Sequence, residues 1–200
     1  MNTRKFLSIL TITGSILFMS CSNDDDNPKP VNEEELITKM SVSLVGGGQT
    51  INLVVVDKDG EEGPSKPEVT VSGKLKVNTQ YSGSIELLNE SKNPVDVISD
   101  EVKKEADEHQ FFYVLASGLN ITAAYADKES DYKKEDGTAF TSANPVGLKF
   151  LLTTTNAGTG TFRITLRHKP KKDAEGVVKG DITNAGGDTD IDQTFNITIE

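Results

Sequence analysis

The chain has a single cysteine, two histidines and no G-x-S-x-G turn in 200 residues. One thiol leaves no partner for an intrachain disulfide, so stability has to come from a buried core, helped by metal if one is bound. Without a nucleophile elbow and with so little histidine, a Ser-His-Asp centre has no local support. Cations are also scarce, with 21 Lys and Arg against 31 Asp and Glu. A phosphate backbone is held by a cationic face, so a nucleic-acid partner is disfavoured. Acidic pairs are plentiful, but among so many acids adjacency carries little meaning, and the sequence argues against an enzyme.

What is present begins with a tripartite leader over residues 1–20. Arg4 and Lys5 form a cationic head, Phe6 to Met19 an almost wholly apolar run, and Ser20 a small residue before the lone Cys21. That layout predicts an export signal, and the run is too short for a span, which takes about 20 apolar residues. Phe18-Met19-Ser20-Cys21 resembles a bacterial lipobox, with Phe18 in place of the usual aliphatic. The resemblance implies cleavage before Cys21 and acylation of its sulfur, which anchors the chain to a membrane. Cleavage would remove Arg4 and Lys5 and no acid, taking the net charge from −10 to −12. Asp24, Asp25 and Asp26 follow, and "CSNDDDN" is similar to the acidic tract of surface-exposed lipoproteins in the Bacteroidetes group. It implies export to the outer face of the outer membrane. Residues 21–36, polar and holding Pro28 and Pro30, predict a tether.

From residue 37 to 200 the pattern predicts one domain. Roughly nine short segments with period-two alternation are bounded by Gly, Asn, Asp or Pro. They include "INLVVV", "VTVSG", "YSGSIELLN", "QFFYVLA", "NITAAYA", "KFLLTTT", "TFRITLRH" and "TFNITIE". One stretch, "SDEVKKEADEH" at 99–109, predicts a short solvent-facing helix capped by Ser99, with Val102 and Ala106 on one face. The expected fold class is all-β: an antiparallel two-sheet sandwich of immunoglobulin-like type with one short helix. "FLLTTTNAGTGTFRITLRH" predicts a hairpin turning at Asn156–Gly160. Residues 127–145 and 169–190 form connections long enough to suggest function.

Taken whole, the chain resembles a family of flavobacterial lipoproteins of similar length through "VNEEELIT", "LVGGGQT", "VTVSGKL", "YSGSIELLNE", "DEHQFF", "GTGTFRITLRHKP" and "GDITNAGGDTD". Such proteins often carry a type 1 periplasmic binding fold label. That fold takes two α/β lobes of βαβ units of 30 or more residues each, which a chain of short strands does not supply. The resemblance implies a lipoprotein of the cell envelope and brings no activity with it.

Candidate ligand chemistry falls on two groups of residues. His168 ends its strand on the parity of Phe162, Ile164 and Leu166, and His109 shares parity with Phe111, Tyr113 and Leu115. Both imidazoles are therefore expected to point inward at sheet edges. Brought together, they would hold zinc, copper or haem iron, with Glu105 or Glu108 as a third ligand. Asp57, Asp59 and Glu61 in "DKDGEEG" offer oxygens at alternate positions for calcium, without the spacing of an EF-hand. Asp188, Asp190 and Asp192 make a second acidic loop. The expected function is that of a non-enzymatic surface lipoprotein that binds a ligand or partner, such as an outer-membrane transporter. Metal or haem capture is the alternative, and an envelope-polymer hydrolase a more remote one.

Overall fold

A computed structural model describes residues 36–58 and 64–200. Cys21, Asp24, Asp25, Asp26, Asp59 and Glu61 lie outside the described residues.

The described chain forms nine strands, one helix and three single-turn 3-10 segments. β1 (Lys39–Gly46), β2 (Gln49–Val56), β3 (Glu68–Val71), β4 (Gln80–Leu88), β7 (Lys149–Thr154) and β6 (Ile121–Tyr125) make one sheet in the order β3-β2-β1-β4-β7-β6. β5 (His109–Leu115), β8 (Gly158–His168) and β9 (Asp188–Ile199) make the second, with β8 in the middle. Every pairing between these strands is antiparallel. One buried cluster takes side chains from both sheets, so this is an all-β sandwich as the alternation predicts.

The alternation becomes two faces in the expected way. On β1, Met40, Val42 and Leu44 are buried while Ser41 and Ser43 are not. Gly47 and Gly48, both at positive φ, close the β1–β2 hairpin in a conformation that L side chains rarely adopt. At Gly83 on β4 the demand is for space, because a Cβ there would lie 2.3 Å from the Phe150 ring. That ring is held by Tyr113 and Phe162 and has little room to give.

Two local expectations are corrected. β7 and β8 are not a hairpin: β7 pairs with β4 and β6, and β8 with β5 and β9. The connection crosses between sheets, and neither Gly158 nor Gly160 has positive φ. The apolar rows Phe150-Leu152 and Phe162-Ile164-Leu166 meet across the core rather than side by side. Alternation reports which face is buried, and it is the same for strands that pair and strands that oppose. The helix α1 is Ile98–Lys104, with Val97 at its N-cap and Ser99 inside and buried. Ile98 and Val102, four residues apart, bury against β4, so packing sets its start instead of a Ser cap. It ends at Lys104, leaving Glu105–Glu108 as a turn that delivers His109 to the first position of β5.

The long connections carry structure of their own. Residues 169–187 fold over the outer face of β5, where Val177 and Ala185 bury Phe112 in a satellite core. Gln110 Nε2 donates to the Val177 carbonyl at 2.8 Å from the same face. Lys172 pins this connection to the rest. Its ammonium donates to the carbonyls of Ala106 (2.5 Å) and Pro145 (3.1 Å) and pairs with Glu129 at 2.9 Å. The β5 end of the small sheet is thereby covered on both faces.

Candidate metal centre

The register of β5 on β8 sets His109 opposite His168, as it sets Phe111 opposite Leu166. Both histidines fall on the inward row of their strands, so the rings meet at the end of the core. Their centroids are 4.6 Å apart and their planes within 5° of parallel. Together with Glu105 they offer three ligand atoms within 4.8 Å of one another.

The surroundings differ for the two rings. His109 is almost fully buried, and its Nδ1 lies 3.1 Å from the Glu105 carbonyl oxygen. Burial pushes its pKa down to about 4, the Glu105 carbonyl opposes that shift, and the neighbouring His168 adds to it. The ring is therefore neutral near pH 7, the form that coordinates a metal. His168 keeps 14% of its side chain exposed, and its Nε2 sits 3.5 Å from Glu108 Oε2, which Lys169 also approaches. Both expected third carboxylates, Glu105 and Glu108, are thus beside the pair, carried on the turn after α1.

The stack constrains what it would bind. Ring lone pairs lie in the ring planes, so two stacked rings hold theirs in separate, nearly parallel planes. One ion shared by both requires the less buried His168 ring to swing out of the stack. Haem held between both rings would likewise require the stack to open, because axial ligands approach iron from opposite sides of a macrocycle.

The calcium expectation fares differently at its two loops. Asp57 is buried just beyond β2, with its N–H donated to the Thr38 carbonyl. Asp188, Asp190 and Asp192 do not form a loop, since all three are on β9. Asp192 takes a bidentate contact from Arg163 and a hydroxyl bond from Thr165, and Arg163 holds its carboxyl below the usual range. Asp188 is exposed, and Asp190 is turned toward His109.

Two other buried ionisable groups have the shifted pKa that catalysis often exploits. Burial lowers the Lys172 pKa, but its three contacts occupy the ammonium's three N–H bonds. The open groove of about 570 Å³ beside it is lined by Asp107, Glu129 and Ser142 among others. Burial also raises the Asp127 pKa, and its carboxylate accepts from the Tyr132 hydroxyl and the N–H groups of Gly147 and Lys149. Both groups tie loops together. Sequence reasoning gave no sign of either, because their partners are 20 or more residues away or on unpatterned loops.

The chain matches no protein-family model, no curated protein and no solved structure. What it does must be argued from these residues.

Proposed function

We propose that this is a lipid-anchored envelope protein whose sandwich is a non-enzymatic binding module for a divalent transition metal, held by His109 and His168. Zinc and Cu(II) suit imidazole and carboxylate donors. The observation that carries this reading is the cross-strand pairing of the chain's only two histidines, stacked at the rim of the core with carboxylates on the adjoining turn. The anchor is supported by the lipobox-like Phe18–Cys21 and the Asp24–Asp26 tract. An anchored metal binder would deliver its ion to a transporter in the same outer membrane.

Titrating the purified full chain with zinc and with Cu(II) is expected to give one tight equivalent. His109→Ala and His168→Ala should each weaken it by at least about tenfold, equivalent to about 1.4 kcal/mol. Binding that survives both substitutions, or no uptake by the unaltered chain, would remove the metal reading. The anchor is tested separately: Cys21→Ser is expected to release the protein from membranes, and mass spectrometry of the native polypeptide should show an acylated N-terminal cysteine. An uncleaved leader would refute it.

A further inference from the structure

The two nitrogens of His109 face different partners. Nδ1 lies 3.1 Å from the Glu105 carbonyl oxygen. A carbonyl only accepts, so Nδ1 carries the hydrogen and Nε2 of the neutral ring carries the lone pair. The Glu105 carboxylate is on the Nδ1 side, 3.9 Å away and half exposed. The carboxylate on the Nε2 side is that of Asp190, with Oδ2 at 3.7 Å and both side chains about 5% exposed or less.

We propose that Asp190, and not Glu105, is the carboxylate ligand of the metal bound at His109. This inference rests on the metal-binding reading above and names the donor set of the same site. For Glu105 to bind the ion that His109 binds, Nδ1 would have to give up its hydrogen and its bond to the carbonyl. On the Asp190 side the His109 ring already has the ligating tautomer, with its Nε2 deprotonated. A separation of 3.7 Å is beyond a hydrogen bond and suits two donors on one ion. Zinc bonds of about 2.0–2.2 Å place nitrogen and oxygen about 3.4 Å apart at the tetrahedral angle, and about 3.7 Å apart when that angle opens to about 125°.

The strand pairing shows how Asp190 comes to be there. Leu166 pairs with Ile191 and Arg167 with Thr189, so Asp190 is the extra residue of a β-bulge. A regular β9 would put it on the outward row with Asp192 and Thr194. A bulge re-aims a side chain locally, and bulges are common beside functional sites. The Glu105 carbonyl then acts as an outer partner that fixes the ring and its tautomer. Two imidazoles and a buried carboxylate, with no sulfur, favour a divalent ion over Cu(I).

The test compares Asp190→Asn with Glu105→Gln in the full chain, using zinc and Co(II) as probes. Asp190→Asn should weaken zinc binding by at least about tenfold and change the visible Co(II) bands, whereas Glu105→Gln should leave affinity within about threefold. The larger loss in Glu105→Gln, or binding by Asp190→Asn within threefold of the unaltered chain, would overturn the assignment. Should Asp190→Asn not fold, ¹⁵N spectra of the unaltered protein decide. Zinc should shift Nε2 of His109 while Nδ1 keeps its proton, and coordination through Nδ1 would overturn the proposal. An unaltered chain that takes up no zinc refutes the function itself, a different outcome from a chain that binds zinc without Asp190.

Discussion

Lys172→Met is expected to destabilise the fold by about 3–5 kcal/mol, the usual result of removing one partner from a buried ion pair. Lys172 and Glu129 keep only 5% and 3% of their side chains exposed. Removing the ammonium leaves a buried carboxylate without its counter-charge, and the carbonyls of Ala106 and Pro145 lose the donor that links them. For a domain of this size each kcal/mol moves the melting temperature by about 2–4 °C, so a drop of roughly 6–20 °C is expected in thermal unfolding. The double variant Lys172→Met with Glu129→Leu is expected to recover much of the loss, because a pair replaced by apolar groups is often neutral. A single variant within about 1 kcal/mol of the parent would show that the pin contributes little.

Stability should also fall as the medium is acidified, through His109. Its pKa is lowered from 6.5 to about 4. Above pH 6.5 the ring is neutral in both folded and unfolded chains, and the group adds no pH dependence. Between about 6.5 and 4 the unfolded chain takes up a proton there that the fold excludes, so unfolding becomes progressively easier. Over the whole window the effect is on the order of 3 kcal/mol. Urea midpoints measured in chelator at pH 7 and pH 4 should therefore drop more for the unaltered protein than for His109→Gln. Equal drops would mean that the ring is not excluded from charging. Added zinc should lift the midpoint at pH 7 and lose its influence by pH 4, since the proton and the ion compete for the same nitrogen.

The sequence was informative wherever burial repeats every second residue. All nine strands lie in segments rich in Val, Ile, Leu, Thr and aromatic residues, and most alternate apolar with polar, whereas β5 is buried on both faces. The same parity places both histidines on the inward row. What parity does not contain is pairing. It left Phe150-Leu152 and Phe162-Ile164-Leu166 as two sides of a hairpin, when they belong to opposed sheets. It put His109 and His168 on inward rows without saying that a register spanning 59 residues would stack them. Asp190 was less legible still: a bulge is one residue of irregularity, and in the sequence it looks like the rest of "DTDID". The helix start was misplaced because Ser99 has the chemistry of a cap, while Ile98 one residue earlier has the apolar surface that packing requires. Lys172 and Glu129 are two charges among many until the loops around them are folded.

The position of β1 in its sheet has a mechanical consequence. β1 is the first strand of the domain and is flanked by β2 and β4 through eight register pairs on each side. Tension applied through the chain ahead of Leu36 enters the sheet along this central strand. The two ladders are then loaded in shear, so many bonds must fail together, whereas an edge strand can be unzipped one bond at a time. Under the tethering proposed above, load on the N-terminal end would meet its strongest resistance at the first described strand.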